Sequence, residues 1–244
     1  MNNKRYQLID TLRGAALLSM IFYHTLWSME NLFGQNTGWL HSAPAYLWQQ
    51  STAALFIFIS GFCRALTQKY LKRSLIILGC AVFIFVFTYL FDKSNTINFG
   101  ILAFIGSAML LLAPLSKILK NIPPYAGLLF SWLLFFAVRH INQGYIGTGV
   151  WQYQLPQNLY ANYFTAYIGM PPDNFSSADY FALLPWLFMF TAGYFAYFCL
   201  RKFISKSNIF ALNIKPLSVL GRHSLAVYLI HQPVIFVLLW IWLK

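Results

Sequence analysis

Seven stretches of this sequence run long and apolar with scarcely a charge between their ends, and that pattern restricts the chain to folds a bilayer accepts. A helix crossing the hydrocarbon core needs about 20 consecutive, mostly apolar residues. The segments 10–29, 51–68, 74–91, 97–116, 124–139, 179–200 and 223–243 qualify. Backbone polar groups in lipid must be satisfied within their own segment, so each is expected to be helical. Together they occupy most of the 244 residues and leave one transmembrane domain over 1–244. With 59% hydrophobic and only 9% charged residues, the remainder cannot build a water-facing surface of the soluble kind. The first span lacks a small-residue cleavage site and is long for a signal peptide, so it is expected to be retained. The predicted fold class is therefore all-α, a polytopic helix bundle of about seven transmembrane helices.

A net charge of +12 invites a nucleic-acid reading, but the basic residues follow the membrane instead. With the N-terminus inside, fourteen cations fall on the cytoplasmic side: Lys4, Arg5, Arg13, Arg64, Lys69, Lys72, Arg73, Lys117, Lys120, Arg201, Lys202, Lys206, Lys215 and Arg222. Three fall outside: Lys93, Arg139 and Lys244. The split fits the positive-inside rule for an N-in, C-out chain, and contact with anionic membrane lipids accounts for most of it. No nucleic-acid partner is expected. Cys63, Cys80 and Cys199 all lie in predicted helices, with neither a disulfide framework nor the clustered ligands a metal needs.

Two helical stripes carry the ionisable groups. In "DTLRGAALLSMIFYH", Asp10 and Arg13 lie about 60° apart, and His24 follows Arg13 by about 20° and about 16 Å of rise. Asp10 and Arg13 suit a helix cap and a snorkelling interfacial base as well as a site. His24 inside a membrane span is a functional candidate by default, the alternative being a neutral imidazole bonded between helices. In "GRHSLAVYLIHQPVIF", Ser224, Tyr228 and His231 share one face, His231 lying about 12 Å beyond His223 by helical rise. The two histidines are thus expected at similar depth. Pro233 frees a carbonyl and permits a bend, while interhelical hydrogen bonding is the plainer role for Ser224 and Tyr228.

The one long connection, 140–178, is expected outside. It is rich in Tyr, Trp, Asn, Gln and Gly. Aromatic faces and neutral amides suit a sugar, and they equally suit a loop lying at the headgroup level.

Five motifs in order, "DTLRGAALLSMIFYH", "LFIFISGFCRAL", "FGILAFIGSAMLLLAPL", "SADYFALLPWLFMFTAGYF" and "GRHSLAVYLIHQPVI", resemble the heparan-alpha-glucosaminide N-acetyltransferase catalytic family, in its bacterial-type members. The spacing from Arg13 to His24 is similar to the Arg-(x)10-His signature of the wider transmembrane acyltransferase superfamily. The resemblance implies a multi-pass enzyme of the cell membrane, of the bacterial cytoplasmic kind. Such an enzyme takes an acetyl group from cytoplasmic acetyl-CoA, with no metal, and passes it to an amino or hydroxyl group of a sugar or glycan on the other face. His24 and Arg13 match the signature residues, and His41 sits comparably to an outer-loop histidine of the lysosomal members. His24, His41 and His231 are the catalytic candidates. The donor candidates are Arg13, Arg64, Arg222 and Ser224, the arginines because a guanidinium pairs with phosphate and its position at a cytoplasmic helix end would let the pantetheine arm reach toward His24. Asp10, Asp179, Trp186 and Tyr228 are the candidates for acceptor binding. The sequence departs from the family at Ala103, where a polar residue is expected, and at His24 itself, where the lysosomal members carry an amide residue. Direct transfer with a histidine base and transfer through an acetyl-histidine both stay open, as does a homodimer. The alternative from another class is a small-solute or proton-linked transporter, which also uses mid-membrane histidines.

Overall fold

A computed structural model describes residues 6–35, 38–206, 210 and 212–243. Lys4, Arg5 and Lys244, counted in the charge split above, lie outside the described residues, as does the side chain of Lys206. A helix stands at each of the seven apolar segments: α1 (Gln7–Asn31), α2 (Ala43–Leu66), α3 (Tyr70–Phe91), α4 (Ile101–Leu119), α5 (Pro124–Ala137), α7 (Leu183–Lys206) and α9 (Ser224–Leu243). Two short helices join them, α6 (Tyr163–Ile168) and α8 (Lys215–Arg222). Among the described residues, five helices are long and apolar enough to cross a membrane: α3, α4, the helix beginning at Pro124, α7 and α9. The chain is a multi-pass membrane protein. Helices α1 and α2 have 25 and 24 residues, ample for a span, but Asp10, Arg13, His24 and Glu30 in α1 and Gln49, Gln50 and Arg64 in α2 lower their hydropathy.

The chain forms two compact units, residues 1–59 with 201–244, and residues 60–200. In the first, α1 packs against α8 and α9. The α1–α8 contact depends on two glycines. A Cβ on Gly14 would stand 1.9 Å from the carbonyl oxygen of Leu217, and one on Gly221 would stand 1.9 Å from that of Asp10. The backbones therefore touch in both directions, the close approach that small residues allow between membrane helices. Helix α9 buries one stripe, His231, Ile235 and Leu239, and leaves Val234, Phe236, Val237, Leu238 and Trp240 exposed as lipid-facing surface. On the other side of α1, Ser19 accepts from Trp48 Nε1 at 2.7 Å and bonds the Thr52 hydroxyl at 2.9 Å, which ties in the first half of α2.

In the second unit, Ser74 of α3 donates to the Gly106 carbonyl of α4 at 2.7 Å. Gly61 of α2 lies against the Phe190 backbone of α7, where a Cβ would come within 1.9 Å of the carbonyl oxygen. The connection before α7 is ordered by short polar links: Asn98 N donates to Ser177 Oγ at 2.9 Å, and Phe181 N to the Phe99 carbonyl at 2.9 Å. Phe99 has φ 55°, a left-handed conformation costly for an aromatic residue, and its ring is held against Phe175, Tyr163 and Tyr167. The long connection 140–178 is not a plain loop. It carries a two-stranded antiparallel hairpin, β1 (Tyr145–Thr148) with β2 (Trp151–Gln154), in which Thr148 pairs Trp151 across a Gly149–Val150 turn. Gly149 supplies φ 60° there, as a two-residue hairpin turn requires. Farther on, the Tyr180 hydroxyl donates to the Ala166 carbonyl, and burial pushes its pKa up, which keeps that donor proton in place.

Candidate functional site

The two polar stripes meet. The rings of His24 on α1 and His231 on α9 have centroids 5.1 Å apart and planes inclined at 60°. Helix α9 brings His231 there because its buried stripe repeats every four residues and faces α1. His231 Nδ1 lies 2.6 Å from the carbonyl oxygen of Tyr228. A carbonyl only accepts, so Nδ1 carries the proton and the neutral ring presents its lone pair at Nε2. That Nε2 is buried and has no hydrogen-bond partner. An unpartnered acceptor out of water is costly, and such groups persist where chemistry uses them. His231 is 8% exposed overall, and the Tyr228 ring packs beside it at 5.3 Å.

His24 is set by two residues that sequence reasoning did not single out. The Gln232 amide nitrogen lies 3.4 Å from His24 Nδ1, and Ser28 Oγ donates to Gln232 Oε1 at 3.3 Å. In this orientation of the amide, His24 accepts at Nδ1 and keeps its proton on Nε2. The pair therefore presents unlike groups, a lone pair on one imidazole and an N–H on the other. The signal for Gln232 was its place beside His231 in "HQP", and for Ser28 its place one helical turn beyond His24.

Nearer the start of α1, Asp10 is 6% exposed and lies between two arginines. Its Oδ1 is 3.8 Å from Arg13 Nη1, and its Oδ2 is 3.8 Å from Arg222 Nε. Arg13 Nη1 also donates to the Gly221 carbonyl at 3.5 Å. The glycine contact sets this cluster, because it holds the end of α8 against the α1 backbone. Asp10→Asn should lower stability by about 1 to 2 kcal/mol, since the arginines are partly solvated and lose a shared anion rather than a fully buried one. Thermal unfolding of the purified variant in detergent measures this, and an unchanged midpoint would show that the cluster contributes nothing to the fold.

The other candidates are dispersed. His41 lies on the turn between α1 and α2, with its side chain 85% exposed and Nε2 3.3 Å from Glu30 Oε1. Ser224 is the first residue of α9. Arg64, Asp179 and Trp186 belong to the second unit. Asp179 Oδ2 accepts from Ile101 N at 3.1 Å and so caps α4, where a carboxylate meets the positive end of the helix. Trp186 is buried between Phe135 and Phe181, with centroids 5.5 and 5.1 Å away. Arg64 is 8% exposed, with its guanidinium 4.3 Å above the Tyr70 ring. Among the described residues, no three His, Cys, Asp or Glu side chains gather as a metal site would require.

The model of the family described as heparan-alpha-glucosaminide N-acetyltransferase, catalytic, matches residues 5–233, nearly the whole chain. No curated protein and no solved structure matches it.

Proposed function

The chain belongs to the heparan-alpha-glucosaminide N-acetyltransferase catalytic family, and from that membership we propose that it carries an acetyl group from cytoplasmic acetyl-CoA to an amino or hydroxyl group of a sugar or glycan on the opposite face of the cell membrane. As a transmembrane acetyltransferase it needs a group that takes a proton from the acceptor, or that carries the acetyl itself. The observation that bears this reading is the buried, unpartnered Nε2 of His231, on a ring packed against that of His24.

In direct transfer, the acceptor nitrogen or oxygen attacks the thioester carbonyl while its proton passes to His231 Nε2. The C–S bond breaks, and that proton goes on to the departing thiolate. The N–H of His24 is a donor suited to the oxyanion that forms on the carbonyl. In the two-step form, Nε2 attacks the thioester carbonyl and the C–S bond breaks to release the thiolate; the acceptor then attacks the acetyl-imidazole, the C–N bond to Nε2 breaks, and the acceptor's proton passes to the freed Nε2 and on to the thiolate. Labelled acetyl-CoA without acceptor separates the two, since only the second leaves label on the protein. The deciding experiment is incubation of the purified protein with labelled acetyl-CoA and a panel of amino sugars and glycans. Labelled product supports the reading; an intact donor with every acceptor returns the chain to the transporter alternative.

The sidedness rests on the fourteen-to-three division of cations. Cysteines placed beside Lys72 and at Gln152 should label from the cytoplasmic and the outer side respectively. Labelling of the Gln152 position from the cytoplasm would reverse the orientation and the direction of transfer.

A further inference from the structure

Three arginines are candidates for the donor's phosphates, and their surroundings divide them. Arg13 and Arg222 share the carboxylate of Asp10. Among the described residues Arg64 has no such partner. It lies near the C-terminal end of α2, 8% exposed, with its Nε buried and without a hydrogen-bond acceptor. Its guanidinium carbon sits 4.3 Å above the ring of Tyr70, the first residue of α3. Tyr194 is the other group in electrostatic reach. Aromatic rings complement the flat face of a guanidinium, but stacking on the Tyr70 ring leaves the in-plane Nε–H without an acceptor. An arginine this buried is ordinarily paired with an acid.

The sequence around it provides none. From Asn31 to Phe91 the chain carries no Asp or Glu, while Arg64, Lys69, Lys72 and Arg73 fall within ten residues. The acids of this unit are engaged or exposed elsewhere. Asp92 bonds Ser94 and Asn95, Asp179 caps α4, and Asp173 is exposed on the outer connection. Arg73, in the first turn of α3, donates from Nη1 to Thr67 Oγ1 at 3.1 Å across the α2–α3 turn, and Lys69 on that turn and Lys72 at the start of α3 are exposed. A pre-oriented planar donor followed within ten residues by three further cations, and without an anionic partner among the described residues, is what a phosphate group requires.

We infer that the turn between α2 and α3 is an anion site in which Arg64 binds phosphate oxygens of the acyl donor, while Lys69, Lys72 and Arg73 add the surrounding field. The inference rests on the acetyl-CoA reading above and assigns the polyphosphate end of that donor to Arg64 rather than to the Asp10 cluster. A lipid phosphate offers the same chemistry from another source, and the test separates them.

The probe is coenzyme A, titrated into the purified protein in neutral-lipid nanodiscs, with dissociation constants from calorimetry. Arg64→Gln should weaken binding by about tenfold or more, as loss of a charge-assisted bidentate pair does. Arg222→Gln should change it less than Arg64→Gln. Should Arg64→Gln not be recovered as a monodisperse protein, the surface double variant Lys72→Gln/Arg73→Gln takes its place and should show weakened binding that disappears at high salt. Wild-type affinity in Arg64→Gln, or in the surface double variant when that is the one used, overturns the site. So does a pattern in which Arg64→Gln leaves coenzyme A binding intact but abolishes retention of phosphatidylglycerol, since the anion is then a lipid. Failure of the wild-type protein to bind coenzyme A at all is a different result: it removes the donor reading, and the site assignment with it.

Discussion

His231→Asn should reduce acetyl transfer by about 10²-fold or more, the range lost with a general base, while the protein still folds and binds coenzyme A. Asparagine is chosen because its amide can still donate to the Tyr228 carbonyl, as Nδ1 does at 2.6 Å, but offers nothing like the basic Nε2. A loss with asparagine therefore reports the missing lone pair rather than a missing strut. His24→Ala should also abolish transfer, because the neighbouring imidazole N–H goes with it. His41→Ala tests the competing assignment to the exposed turn, where the imidazole Nε2 lies 3.3 Å from Glu30 Oε1. If His231→Asn and His24→Ala both stay within about threefold of wild type, a change too small for a lost proton-transfer group, and His41→Ala is inactive, catalysis belongs to the turn. If all three variants remain active, transfer through histidine is the wrong chemistry. Gln232→Leu gives a finer reading. It removes the partner of His24 Nδ1 without touching either ring, and a drop in kcat at constant KM for the donor would mark Gln232 as the residue that orients His24.

The histidine pair was legible in the sequence because helical periodicity is rigid. Once 10–29 and 223–243 are helices, the stripes holding His24 and His231 follow from 100° per residue, and only their meeting had to be found in three dimensions. What helical spacing cannot carry is the partner of a polar atom. Nothing in "HQP" says that Nδ1 bonds its own helix and leaves Nε2 bare. Helix α8 was hidden for another reason. It has only eight residues and merges in sequence with a connection of ordinary polarity. Its contact with α1 depends on single glycines, which have no side chain to form a pattern. The hairpin at 145–154 did leave a signal, the turn "TGVW" between aromatic and amide residues, but a short strand pair is weakly marked inside a neutral loop. Asp179 shows the converse. An acid beside aromatics in "SADYFALLPW" reads as a ligand contact, yet its carboxylate reaches across 78 positions to the first amide of α4. Such a cap leaves its acceptor role visible and its partner invisible until the chain is folded.

Gly221→Ala should be the most destabilising single-methyl change in the first unit, by about 3 kcal/mol, the upper part of the range for overpacking a filled contact. The new Cβ would sit 1.9 Å from the Asp10 carbonyl oxygen and 2.9 Å from both the Asp10 carbonyl carbon and the Gly14 nitrogen. All three are backbone atoms, so no rotamer change relieves the clash, and α8 must move off α1. Gly14→Ala meets the Leu217 carbonyl in the same way from the opposite side, at 1.9 Å. Gly79→Ala is the control. It lies in α3 with nothing within 4 Å of its would-be Cβ, so it should be neutral or gain up to about 1 kcal/mol from helix propensity. The contact also predicts coupling. Moving α8 carries Arg222 away from Asp10, so Gly221→Ala already costs the cluster what Asp10→Asn removes. The double variant should then be less destabilised than the sum of the two, by an amount measurable in a double-mutant cycle of thermal unfolding. Strict additivity would mean that the glycine contact and the Asp10 cluster are independent, and that α8 does not deliver Arg222 to Asp10.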